Sequence, residues 1–118
     1  MNKIYHLSTC STNKRILREL DAEQHFVLQD IKTEPITPAQ LDEMKSLCGS
    51  YEALFSRRSR QYTAMGLKDK VLTEADYRKL ILQDYTFLKR PVILLDGKIY
   101  IGNDATTVAA VKAKLLKN

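Results

Sequence analysis

The sequence predicts an α/β protein in which a β-α-β unit and a later β-β-α unit build a mixed four-stranded sheet, with a helical insertion between them. Three observations carry this. An apolar run at Ile4, Tyr5 and Leu7 passes into a helical pattern and then into a second apolar run near residues 25–31. Two further apolar runs flank Asp96-Gly97, a strong two-residue hairpin signal of type I′. Residues 38–85, between the two halves, carry helix-start signals and helical spacing rather than strand alternation.

Residues 2–8 read as the first strand, which stops at the polar Ser8-Thr9. From Ser11 to about Glu23, Ile16, Leu17 and Leu20 recur at helical spacing among charged neighbours. A strand at 25–31 follows, where Phe26, Leu28 and Ile31 alternate imperfectly. Strand, helix and strand with so short a crossover form a right-handed unit with parallel strands. Thr37-Pro38 then starts a helix, with Thr as N-cap and Pro in the first position; Leu41, Met44 and Leu47 give its apolar face and Gly49 ends it. Short helical pieces are expected around 51–55 and 62–66. Thr73-Glu74-Ala75-Asp76 resembles a capping box opening a helix to about Gln83. Pro91 opens a buried strand over 92–95, its partner covers 98–101, and Asn103 or Asp104 caps a last helix through Val108, Val111 and Leu115.

A chain of 118 residues is expected to be one domain, with a core from 1–37 and 86–118 and an insertion over 38–85. No run approaches the ~20 apolar residues of a membrane span, and no leader pattern is visible at the start, so a cytoplasmic protein with no membrane partner is expected. Two cysteines and two histidines, scattered, offer no metal-ligand spacing. The net charge of +5 suits a small oxyanion, an acidic partner or simply a solvated surface; without a nucleic-acid module beside it, direct DNA binding is not expected.

Cys10 is the residue around which the chemistry gathers. It falls where the first strand hands over to a helix, whose first N–H groups lack internal partners and whose dipole is positive there. A thiol in that place is pushed towards the reactive thiolate, and His6, Lys14 and Arg15 stand four or five residues away. Cys10 can also be read as an ordinary small buried residue, His6 as a satisfied strand histidine, and Arg57, Arg58 and Arg60 as a solvated face. Cys48, beside Gly49, reads as structural.

The order of elements is thioredoxin-like, and three blocks resemble the arsenate reductase family and the related Spx-type regulators. They are His6 with Cys10-Ser11-Thr12 and Lys14; Arg57-Arg58-Ser59-Arg60-Gln61-Tyr62 with Gly66-Leu67; and Leu88-Lys89-Arg90-Pro91-Val92-Ile93. The resemblance implies that Cys10 is the nucleophile, with His6 lowering its pKa. It implies an oxyanion held by the loop at Ser11 and Thr12, by Arg58 or its neighbour Arg57, and by Arg90, with Pro91 cis beside them. It further implies a small oxyanion or thiol substrate, no bound cofactor, and glutathione with glutaredoxin as electron donor. The Spx-type alternative implies RNA polymerase as a partner, without catalysis. Three departures stand out. Ser11 occupies the place where the reductases usually carry Gly. Asn13 occupies the place of the second cysteine in Cys-x-x-Cys. No arginine follows Arg90, where the reductases use a third just past the second hairpin strand, in the neighbourhood of Gly102.

Overall fold

The computed structural model describes residues 2–117. The elements are β1 (Lys3–His6), α1 (Ser11–Glu19), α2 (Ala22–His25), β2 (Val27–Asp30), α3 (Pro38–Cys48), α4 (Arg60–Ala64), α5 (Glu74–Gln83), β3 (Val92–Leu95), β4 (Lys98–Ile101) and α6 (Ala105–Leu116). Three single 3-10 turns lie at Glu52–Leu54, Leu67–Asp69 and Tyr85–Phe87. The chain groups into two compact units: residues up to Glu34 together with those from Arg90 onward, and Pro35–Lys89.

The first unit holds the sheet, in the order β2-β1-β3-β4. β1 runs parallel to β2 and antiparallel to β3, which pairs antiparallel with β4. This is the mixed four-stranded sheet the sequence predicts. Its core gathers Ile4 from β1, Ile93 and Leu95 from β3, Ile16 from α1 and Leu20 at its end, Ala22 from α2 and Phe26 at its end, and Val108 and Val111 from α6. Ile93 and Leu95 share a face because strand side chains alternate, and Val108 and Val111 share one because helix positions three apart are neighbours. Each such aliphatic side chain contributes about 1.5–3 kcal/mol through burial.

The first helix departs from the expectation of one run to about Glu23. α1 stops at Glu19, Asp21 takes a left-handed conformation at φ 49°, and α2 restarts at Ala22. The reason is packing. Leu20 and Ala22 both lie in the core, yet positions two apart in a continuous helix are ~200° apart around its axis. The left-handed turn brings both inward, and Asp is among the residues that tolerate it. β1 and β2 are likewise shorter than the apolar runs at 2–8 and 25–31. The hairpin follows the sequence closely: Asp96 and Gly97 have φ 51° and 80°, the pair of positive values a type I′ turn needs. Asp104, not Asn103, caps α6 by accepting from the Thr107 N–H at 3.2 Å.

The second unit is helical and well capped. Thr37 Oγ1 accepts from Gln40 N–H at 3.1 Å while Gln40 Oε1 accepts from Thr37 N–H at 3.0 Å. Thr73 and Asp76 close the same reciprocal box on α5 at 3.2 and 2.8 Å. Ser59 caps α4 from the Gln61 N–H. Phe55 is fully buried and lies 4.9 Å from Tyr77, 5.1 Å from Phe87 and 6.0 Å from Tyr62 between ring centroids. Arg78 grips Asp42 with two hydrogen bonds at 2.9 and 3.1 Å and the Tyr51 hydroxyl adds a third at 2.6 Å. The Arg78 bonds, then that of Tyr51, hold the Asp42 carboxyl at a pKa of about 2. No helix among the described residues is long and apolar enough to cross a membrane.

Candidate functional site

The site is built at the end of β1. After His6 the chain turns through Leu7–Cys10, and the Cys10 N–H donates to the Leu7 carbonyl at 3.1 Å to close the turn. Cys10 is the N-cap of α1, with extended φ and ψ of −93° and 116°, and its side chain makes no cap hydrogen bond. The first intrahelical bond is Lys14 N–H to the Cys10 carbonyl at 3.0 Å. The N–H groups of Ser11, Thr12 and Asn13 precede that bond and carry the positive end of the helix dipole. Such an end receives anions. The sulfur of Cys10 is half-buried there.

Asn13 is the residue whose part the sequence does not disclose. It is 1 % exposed. Its Oδ1 accepts the Leu7 N–H at 3.0 Å, and its Nδ2 donates to the Cys10 Sγ at 3.5 Å. Asp30, at the end of β2, is a second residue without a predicted role: its Oδ1 accepts from Ser8 N–H at 3.3 Å and from Lys32 N–H at 3.2 Å. The Lys32 bond is an Asx-turn, a local signal that Asp followed by a turn can give.

His6 is buried, 9 % exposed, and its Nδ1 has no hydrogen-bond partner among the described residues. Burial lowers its pKa below the ordinary 6.5, against a smaller opposing pull from the Asp30 carboxylate. Burial thus favours its neutral form. Burial disfavours charge on Asp30 too, but the Ser8 and Lys32 hydrogen bonds together with His6 outweigh that and lower its pKa.

Arg90 and Pro91 immediately precede β3, and Val92, the first residue of β3, pairs with Tyr5 one residue before the end of β1, so they lie at the end of the sheet from which the chain passes to Cys10. The Arg90-Pro91 peptide bond is cis, as the resemblance implies. The Pro91 carbonyl accepts from Gly102 N–H at 2.9 Å. Gly102 itself has φ 97°, a conformation that disfavours any side chain.

Within the helical unit the two candidate arginines differ. Arg57 donates to Glu52 Oε2 at 3.0 Å and to the Tyr77 hydroxyl at 2.9 Å, and its guanidinium lies over the Phe55 and Tyr77 rings. Arg58 is exposed and its guanidinium makes no ion pair or hydrogen bond among the described residues; only its backbone N–H is engaged, with Ser56 Oγ at 3.3 Å. The Cys48 thiol donates to the Ser50 carbonyl at 3.3 Å.

A four-stranded mixed sheet with one cysteine at the open N-terminus of its first helix, and a cis-proline leading into its third strand, defines a thioredoxin-like protein of single-cysteine type. The comparisons agree with that class. The model of the ArsC family matches residues 5–111. The chain belongs to the ArsC family. It is 25 % identical over 114 residues to an arsenate reductase of Neisseria meningitidis, covering 92 % of this chain and 96 % of that protein. It is 30 % identical to a possible arsenate reductase from Streptococcus mutans of known crystal structure, with a TM-score of 0.68 over 84 % of this chain and 87 % of that one. An arsenate reductase structure from Vibrio cholerae, 20 % identical, shares the fold at a TM-score of 0.73 over 93 % and 96 % of the two chains.

Proposed function

We propose that this chain is a cysteine-dependent oxidoreductase of the arsenate reductase kind, with the Cys10 sulfur as nucleophile. The observation that carries the reading is the sulfur at the N-cap of α1, making no cap bond of its own while the N–H groups of Ser11 and Thr12 follow it. Arg90, at the same sheet end, supplies a forked donor matched to an oxyanion. In the helical unit Arg57 is bound to Glu52 and Tyr77, so of the two arginines that the resemblance offers Arg58 is the one whose guanidinium has no such partner among the described residues.

In this reading the thiolate attacks arsenic(V), an S–As bond forms, and an arsenate oxygen leaves as water after protonation. A glutathione thiol then attacks, two sulfur electrons pass to arsenic, and arsenite is released as the two thiols become a disulfide. Glutaredoxin with further glutathione returns Cys10 to the thiol. The net change is one arsenate and two thiols to one arsenite, one disulfide and one water.

The test is arsenate-dependent oxidation of glutathione by the purified protein in the presence of glutaredoxin. Turnover that disappears in Cys10→Ser supports the reading. Wild-type protein that leaves the glutathione pool unchanged on addition of arsenate overturns it. Recovery of RNA polymerase subunits from cell extract by that inactive wild-type protein would instead favour the regulator alternative.

A further inference from the structure

We propose that Asn13 is a positioning residue for the Cys10 thiolate: its amide is locked so that it always presents an N–H to the sulfur. The inference rests on the reading that Cys10 is the reacting group, but not on arsenate being the substrate. Asn13 sits three positions into α1, where a side chain can reach back over the helix start. In a capping box such a residue accepts from the backbone N–H of the N-cap. Here that N–H already donates to the Leu7 carbonyl, and the Asn13 side chain reaches past it in two directions.

The amide orientation is fixed by chemistry. The Leu7 N–H can only donate, so the atom 3.0 Å from it must be the Asn13 oxygen. The nitrogen is then turned to the Cys10 Sγ, 3.5 Å away. Asn13 is 1 % exposed, so water offers no competing partner, and flipping the amide would strand the Leu7 N–H against an NH2 group. A donor held in this way interacts far better with a negative sulfur than with a neutral thiol. Burial disfavours the charged form of His6. The dipoles that face the sulfur are those of the α1 N-terminus and of the Asn13 amide in its first turn, beside the cationic Lys14, Arg15 and Arg90. Asn13 takes no part in bond making.

Asn13→Asp separates the two halves of the amide. The carboxylate still accepts the Leu7 N–H, so the turn keeps its clamp, while the donor to sulfur is replaced by a negative oxygen. The probe is iodoacetamide, with which the Cys10 sulfur forms an S–C bond as iodide leaves, followed at Cys10 by peptide mass spectrometry. The expected result is a rate at pH 7 reduced about tenfold or more, as for loss of a charge-assisted hydrogen bond. That deficit closes near pH 10, where hydroxide removes the proton without help. Because the new carboxylate itself repels the thiolate, Asn13→Leu, which removes the donor without adding charge, is measured beside it; there a role confined to packing would leave the ratio of rates independent of pH. A variant as reactive as wild type at pH 7, or one with a constant ratio, overturns the proposal.

A second measurement avoids dependence on the folding of that variant. The side-chain amide protons of Asn13 are observed by nitrogen-15 NMR in wild type and in Cys10→Ala at pH 8. One of them is expected to shift upfield when the sulfur is removed. Superimposable Asn13 side-chain signals would overturn the assignment. Neither measurement contains an oxyanion, so loss of the reductase reading and loss of this one give different results.

Discussion

The helix starts of this molecule divide into two kinds. α3 and α5 in the helical unit are closed by reciprocal boxes, Thr37 with Gln40 and Thr73 with Asp76. α1 in the sheet unit begins with a cysteine whose side chain caps nothing. In each case the third helical residue reaches back, but Gln40 and Asp76 bind the backbone of their N-cap, whereas Asn13 binds the sulfur of its own. Capping with Ser, Thr, Asp or Asn contributes about 1 kcal/mol to stability. α1 forgoes that gain and keeps its first N–H groups for something other than its own side chain. The closed starts serve the fold; under the proposed function the open start of α1 serves an anion.

The sharpest way to break this contrast is to close α1. Cys10→Ser supplies a good N-cap in place of a poor one. We expect thiol chemistry to vanish while the melting temperature stays level or rises, by the equivalent of about 0.5–1 kcal/mol. A large loss of stability would show that Cys10 is a packing residue and that the open start is incidental. Arg90→Ala should lower arsenate turnover by about 10²-fold, the scale of one lost oxyanion donor, with iodoacetamide labelling of Cys10 much less affected. Equal loss of both would mean that Arg90 shapes the loop rather than the anion site.

The closed starts give the converse. Thr73→Ala should cost about 1 kcal/mol in urea unfolding and leave Cys10 labelling in the native protein unchanged. The smallest effect concerns pH. Burial lowers the His6 pKa in the folded chain, so the unfolded chain binds that proton more readily. The stabilisation is complete above the ordinary value of 6.5 and declines as pH falls below it towards the folded value. Urea midpoints at pH 7.5 and 5.5 should differ accordingly, and His6→Gln should narrow the gap. Asp30, lowered from 3.8, acts only in a more acid window.

The features legible in the sequence are those written in a few adjacent residues. Asp96-Gly97 specifies its turn because both positions must take positive φ. Thr37-Pro38 and Thr73 with Asp76 specify helix starts because the partners are three residues apart. Cys10 is legible as a junction for the same reason. Arg90-Pro91 gains its meaning only from the family resemblance. The break at Asp21 was not legible, since it follows from the need to bury both Leu20 and Ala22, which is a property of the assembled core. The amide of Asn13 was not legible either. By sequence Asn13 is a polar residue in the first turn of a helix, notable for not being cysteine. Its role depends on an N–H six residues earlier, at Leu7, coming within 3.0 Å. The preference between Arg57 and Arg58 likewise needed Glu52 and Tyr77 to be located in space.

The place of the helical unit in the chain has a kinetic consequence. β1 pairs with β2 across one short crossover, but its other neighbour, β3, arrives only after the whole of Pro35–Lys89 has been traversed. Closing so long a flexible loop, about 60 residues, costs entropy before the strand pairing returns anything. A helical unit that condenses early replaces most of that slack with a fixed body. The rate at which β3 docks, and with it the arrival of Arg90 at the end of the sheet, is then governed by the aromatic cluster around Phe55. Phe55→Ala should slow refolding of the sheet although Phe55 belongs to none of its strands.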